Sequence, residues 1–177
     1  MKILIILSTV LLLATLVPGQ EKLKHAVDLY RNGNYGESVK ELEDVNLSGA
    51  GNYQSYLYLG AANVHLNKEK EAREAFAKAN KLSLIVGIDG ETSIKVKKKK
   101  APSSRDVPLN VANSGRTQLA TEFKADGTIG FTFLVQTTTV EFVRSCLEVV
   151  KQIKFDPATS NGSPVSVVRL VEFTFER

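Results

Sequence analysis

Residues 56–79 read YLYLGAANVHLNKEKEAREAFAKA, and the stretch 34 residues earlier, 22–45, reads KLKHAVDLYRNGNYGESVKELEDV. At that offset Ala26 falls on Gly60, Gly33 on Asn67, Ser38 on Ala72, Leu42 on Phe76 and Val45 on Ala79. A fixed period of this length marks a repeated supersecondary unit. Small residues at 26/60 and 38/72 let two helices approach closely, and Leu29, Leu42, Leu59 and Phe76 fill the space between them. Gly33 and Asn67 are residue types that tolerate the positive φ a helix end often needs. The spacing predicts two antiparallel helical hairpins over residues 20–84.

The second copy carries Tyr56, Leu59-Gly60, Ala72, Phe76 and Ala79, and in this it resembles the tetratricopeptide repeat. The first copy lacks the early aromatic and has Ser38 for the usual alanine; both lack the closing proline. The resemblance implies a right-handed stack of helix pairs whose concave side binds peptides or proteins. Two repeats are fewer than the roughly three needed for independent stability. Bracing of the neighbouring domain therefore stands beside a peptide groove as a reading of residues 20–84.

Toward the N-terminus, Met1-Lys2 precedes a run of 15 residues, Ile3 to Val17, that is apolar except at Ser8, Thr9 and Thr15. The run is shorter than the roughly 20 residues a spanning helix needs. Val17 and Gly19 suit signal peptidase, so residues 1–19 are expected to be a signal peptide and Gln20 the mature start. The expected location is periplasmic or secreted, the alternative being an inner-membrane anchor facing the periplasm. The single cysteine, Cys146, excludes a disulfide-stapled secreted scaffold, so packing must supply the stability.

The net charge of +4 is local. Residues 20–82 hold nine basic and nine acidic side chains, and residues 106–177 seven and eight, so the excess lies in 83–105. A nucleic-acid surface would need basic groups spread over a fold together with stacking aromatics, so nucleic acid is not an expected partner. Within residues 85–106, read as a Lys-rich linker, Leu84-Ile85-Val86 and Ile94-Lys95-Val96 flank Asp89-Gly90. An Asp-Gly pair between β-type residues signals a short hairpin. Lys97, Lys98, Lys99 and Lys100 then read either as a solvated tether or as a contact for an anionic membrane or cell-wall surface.

Beyond residue 106 the period changes to two. Thr117, Leu119, Thr121 and Phe123 alternate with Gln118, Glu122 and Lys124; Ala125-Asp126-Gly127 turns the chain; Ile129, Phe131, Phe133 and Val135 alternate again. Val143, Cys146, Leu147, Val150 and Ile153 recur at helical spacing behind a Thr138/Glu141 capping-box pattern. Val165 to Phe175 reads as a last strand. The expected whole is multidomain, α plus α+β: two antiparallel helical-hairpin repeats joined by a basic linker to a small β-β-α-β domain. In that domain (107–177) the helix lies across a three-stranded antiparallel sheet.

Phe123-Lys-Ala-Asp-Gly-Thr-Ile129 and Lys151-Gln-Ile-Lys-Phe-Asp-Pro-Ala-Thr-Ser-Asn-Gly-Ser-Pro-Val165 resemble the C-terminal domain of TonB-family energy transducers. The resemblance implies a periplasmic domain whose last strand pairs with a receptor peptide by strand addition. Val165, Val167, Arg169 and Val171 are the residues this would place at the partner-binding edge. This sequence has an expected signal peptide in place of the family's membrane anchor and repeats in place of its proline-rich arm, and it lacks the Tyr-Pro-x-x-Ala-Arg stretch, so strand pairing is the part of the family's function expected to carry over.

Catalytic patterns are missing. His25 and His65 have no second ligand at metal spacing, and Cys146 falls on the apolar helical stripe as a core residue. No phosphate-cradling glycine loop or nucleophile elbow occurs. The expected protein is not an enzyme and holds no cofactor. It is an exported envelope adaptor or scaffold for a protein or peptide partner, linked to TonB-dependent uptake. The alternative is a structural envelope protein whose repeats organise an assembly without transport coupling.

Overall fold

The computed structural model describes residues 18–82, 88, 90–105 and 107–177; the expected signal peptide lies outside them, Pro18 and Gly19 excepted. Four helices form an array of two helical hairpins: α1 (Pro18–Arg31), α2 (Tyr35–Leu47), α3 (Tyr53–His65) and α4 (Glu69–Lys81). α2 starts at 35 and ends at 47, α4 starts at 69 and ends at 81, and the offset of 34 is the one read from the sequence. Gly33 and Asn67 both adopt positive φ, +81° and +56°, and turn the chain between the helices of each hairpin. Ala26, Leu42, Val45, Ala72, Phe76 and Ala79 are all buried. Gly60 lies under the Phe76 ring, where a Cβ would sit 2.6 Å from ring carbons. Ser38 is fully buried and donates its hydroxyl to the Ala26 carbonyl at 2.8 Å, which explains how a polar residue occupies a position suited to alanine. α3 begins with a reciprocal Asn52/Ser55 capping box, for which Asn-x-x-Ser is the sequence signal.

The rest is an antiparallel β unit with one helix. Its strands are β1 (Lys95–Lys98), β2 (Ser114–Phe123), β3 (Ile129–Thr137), β4 (Lys154–Asp156), β5 (Ala158–Ser160), β6 (Ser163–Val165) and β7 (Val167–Glu176), with α5 (Val140–Val150) between β3 and β4. The main sheet has the order β3-β2-β7, and β5 pairs with β6. Within residues 107–177 the expected β-β-α-β order is present with three short strands, β4, β5 and β6, added. The expected last strand is divided at Ser166, so Val165 belongs to β6 and pairs with Ala158. Of the expected hairpin, residues 84–86 and Asp89 lie outside the described residues. The other arm, Lys95-Val96, pairs with Asp156 and Phe155 of β4. Among the described residues no helix is long and apolar enough to cross a membrane.

One sheet face carries Leu119, Phe123, Val167 and Phe173, packed on Phe142, Cys146, Val149 and Val150 of α5. The expected Thr138/Glu141 capping box does not form: Thr139 is the N-cap, with no side-chain cap bond. The Thr138 hydroxyl instead accepts the Arg116 amide at 2.8 Å, where it ties the end of β2 to the start of the helix. The opposite sheet face is not open to solvent. Ala120, Val135 and Val168, with Phe131, Phe133 and Leu170, join the core of the helical array.

Two register shifts interrupt the β2–β3 pairing, one between Gln118 and Leu119 and one between Thr121 and Phe123. A shift of one residue moves following side chains to the other side of a sheet. Ile129 and Leu134 therefore pack toward α5, whereas Phe131, Phe133 and Val135 pack toward the repeats. The strict alternation of Ile129, Phe131, Phe133 and Val135 read from the sequence is thereby divided between two cores.

Candidate functional site

The inner surface of the helical array, where the tetratricopeptide resemblance places a peptide, meets the chain's own sheet. β2 brings a buried carboxylate to this contact. The Tyr30 hydroxyl donates to Glu122 Oε1 at 2.8 Å, and His65 Nε2 lies 3.3 Å from Tyr30 Oη and 3.8 Å from Glu122 Oε1. The His65 ring stacks on Tyr35 at 4.1 Å, 2° from parallel, and meets Phe131 edge-on at 5.5 Å. A Cβ at Gly130 would collide with the Glu122 carboxylate, so this glycine makes room for the buried charge. Burial, and then the Glu122 charge, push the Tyr30 phenol far above its ordinary value, which fixes it as a neutral donor. Nearby, Gln118 Nε2 donates to Asn80 Oδ1 at 2.9 Å. Gln118 and Glu122 thus each find a partner on the helices, although Gln118 Oε1 is buried without one, and the face that reads as solvated in the sequence is an internal polar seam.

A second clasp closes around Arg31 at the end of α1. Its guanidinium lies 2.7 Å from Glu91 Oε1, reaches Tyr58 Oη at 3.4 Å and donates through Nε to the Ser166 carbonyl at 3.2 Å. Burial works against the charge of Arg31. Tyr58 and Glu91 outweigh it and hold the guanidinium above its ordinary value. The fully buried Tyr58 phenol is pushed up by desolvation, against the opposing pull of Arg31. One side chain thereby joins the first repeat, the second repeat, the segment after Gly90 and the β6–β7 junction.

β7 is an outer strand, as expected, with β2 on its inner side only. In an antiparallel pair alternate residues direct both backbone groups away from the partner. On β7 these are the even positions, and side chains reach two of their carbonyls. The Val168 carbonyl accepts Arg169 Nη1 at 2.8 Å, and the Glu172 carbonyl accepts Lys99 Nζ at 3.1 Å. Burial raises the pKa of the Tyr53 phenol, which the Leu170 backbone and Arg169 lower in turn. Val167 is fully buried and faces α5, and Val171 pairs with Leu119. Of the four expected edge residues, then, Val167 and Val171 direct their backbone groups inward, Arg169 caps its neighbour and Val165 lies on another strand. The opposite edge is held similarly: Arg73 of α4 donates to the Leu134 carbonyl on β3 at 3.1 Å.

Lys97, Lys98, Lys99 and Lys100 are all exposed. Lys97 pairs with Asp156 at 2.6 Å, Lys99 lies 4.4 Å from the Phe173 ring centre, and Lys100 donates to Gln152 Oε1 at 3.0 Å. These contacts and the β1–β4 pairing fasten the segment expected as a tether to the C-terminal unit. Cys146 is fully buried, and desolvation pushes its thiol up to about 11. His25 sits on the surface, 2.7 Å from Glu41.

Clefts also lie outside these seams, among them one of about 320 Å³ beside Glu21, Lys22, His25, Glu41 and Asp44 and two that are larger. One of about 350 Å³ crosses α2, α3 and α4 on the outside of the array, lined by Glu43, Asn46, Tyr56, Glu71, Glu74 and Lys78 among others. The other, about 610 Å³, opens at the end of the sheet beside Ser114, Arg116, Thr138, Thr174 and Glu176. Among the described residues no group of three or more His, Cys, Asp or Glu could hold a metal ion. No model of a known protein family matches the chain, and no curated protein matches its sequence.

Proposed function

We propose that the chain is a non-catalytic, exported scaffold of the cell envelope, in which two tetratricopeptide-like repeats and a TonB-like C-terminal unit are locked into one block. The observation that carries this reading is the internal use of both docking modes that the resemblances imply. The inner face of the repeats is filled by β2, β3 and β7, and two carbonyls on the outer edge of β7, at 168 and 172, have partners within the chain. The repeats brace the sheet, and engagement of envelope proteins falls to the outer surfaces.

A second reading, the adaptor that adds a partner strand, keeps one observation in its favour. The far end of β7, at Thr174, borders the 610 Å³ cleft. Recovery of the tagged full chain from envelope extract separates the two. The scaffold predicts a set of co-purifying proteins that Thr174→Pro leaves unchanged. Loss of that set in a Thr174→Pro protein with an unaltered circular dichroism spectrum supports strand addition instead, because proline removes the edge donor. Recovery of no partner by either protein refutes both.

A further inference from the structure

The lysines that carry the chain's charge excess do not lie on a linker. β1 and β4 form a two-stranded ribbon whose exposed residues include Lys95, Lys97, Lys98 and Lys154, and Lys100 and Lys151 are exposed nearby. Asp156 is the acidic residue on the ribbon, and its carboxylate is engaged by Lys97. The register puts Lys98 directly opposite Lys154. Like charges at facing positions destabilise a strand pair, and nothing within the ribbon offsets this pair. A shift between Val96 and Lys98 breaks the alternation and crowds further basic side chains onto the strand. Val96, 48% exposed between Lys95 and Lys97, adds an apolar contact at the centre of the charge.

From this juxtaposition we infer that the β1–β4 ribbon is a docking surface for an anionic phospholipid bilayer, with Lys95, Lys98 and Lys154 as its principal contacts. The ribbon is short and exposed, and bears no exposed aromatic on which bases could stack, so a plane of phosphate headgroups fits it better than a nucleic-acid strand. Lys97 and Lys99 serve the fold, through Asp156 and the Glu172 carbonyl, and hold the ribbon against the domain. The inference is independent of the scaffold reading: a scaffold without lipid affinity, or a lipid-bound protein without partners, would separate the two.

The test is sedimentation of the full chain with vesicles of equimolar phosphatidylglycerol and phosphatidylcholine, and with phosphatidylcholine alone. The comparison proteins are the triple variant Lys95→Gln/Lys98→Gln/Lys154→Gln and a charge-matched control, Lys22→Gln/Lys24→Gln/Lys40→Gln, on the exposed helix surface. Each lysine at an anionic leaflet contributes roughly a fivefold factor, so the ribbon variant should lose about a hundredfold in affinity for the mixed vesicles. The control should lose little, and added salt should weaken wild-type binding. Because removal of the Lys98–Lys154 repulsion does not harm the fold, the ribbon variant should melt no lower than wild type. Equal loss in both variants, a loss under tenfold in the ribbon variant, or wild-type binding to phosphatidylcholine that matches the mixed vesicles overturns the inference. Tight binding of soluble polyphosphate without vesicle association also overturns it, in favour of a polymer partner.

Discussion

Tyr30→Phe is the most direct probe of whether repeats and sheet form one unit. The substitution keeps the ring, which contacts Tyr35 at 5.5 Å and Tyr58 at 5.3 Å between centroids, and removes only the hydroxyl that donates to Glu122. Glu122 is 7% exposed, and its other neighbour here, His65, is 3.8 Å away. A hydrogen bond to a charged group contributes about 1.5–3 kcal/mol, and loss of a partner leaves the buried carboxylate under-solvated. Tyr30→Phe should therefore destabilise the protein by about 1.5–3 kcal/mol. With Glu122→Gln in place, the acceptor is a neutral amide carbonyl and the same tyrosine change should cost only about 0.5–1.5 kcal/mol. The coupling in the double-mutant cycle should be about 1 kcal/mol.

Urea unfolding followed by circular dichroism and by tyrosine fluorescence supplies the measurement, since the chain has five tyrosines and no tryptophan. Helix loss, reported by dichroism, and environment loss around Tyr30 and Tyr58 should occur in one transition. An effect of Tyr30→Phe below about 0.5 kcal/mol, the size of an ordinary surface change, would refute the seam. So would separate transitions for helices and sheet, because a braced array cannot outlast its brace.

Three further outcomes are expected. Phe76→Ala should cost about 3–5 kcal/mol in thermal or urea unfolding, and Gly60→Ala about 1–3 kcal/mol through overpacking against that ring; Lys78→Ala, which loses only a contact 5.5 Å above Tyr56, should stay below about 1 kcal/mol. Burial raises the phenols of Tyr30, Tyr53 and Tyr58, so the fold favours their neutral forms. Their contribution is fully present below about pH 10 and declines above it, by up to about 1.4 kcal/mol per pH unit for each tyrosine; spectrophotometric titration should show buried tyrosines ionising only as the protein unfolds. The Cys146 thiol, raised to about 11 and buried, should react with an aromatic disulfide reagent near neutral pH only at the rate of opening, and fast labelling of native protein would contradict its place in the core.

The helical array was legible because its determinants are local. A period of 34, small residues at 26/60 and 38/72, and turn residues at 33/67 fix helix ends and spacing through short-range sterics. The face of β7 that meets α5 was legible for the same reason: Val167, Val171, Phe173 and Phe175 recur at odd positions, with Arg169 as the interruption. The β1–β4 pairing was not. It joins residues about sixty apart, and no local signal in a run of lysines names a strand partner. Nor did a capping-box pattern at Thr138 decide that hydroxyl's use, because Arg116, twenty-two residues earlier, competes for it.

The largest departure concerns the second face of the sheet, and its cause is general. Alternation reports that a strand has two unlike faces; it does not report what covers the polar one. Gln118 and Glu122 look solvated because water is the usual partner of such groups, yet Asn80 and Tyr30 bond to them at 2.9 and 2.8 Å inside the molecule. The signals that water was not the partner were present but scattered: tyrosines at 30 and 58 on the repeat helices, a glycine at 130 opposite the carboxylate, and Ala120 between the two polar residues. A helical array too short to stand alone needs a surface to complete its core. A sheet with Phe131 and Phe133 turned away from its own helix needs the same. Each half thus lacks what the other supplies, and that mutual deficit makes their contact part of the fold.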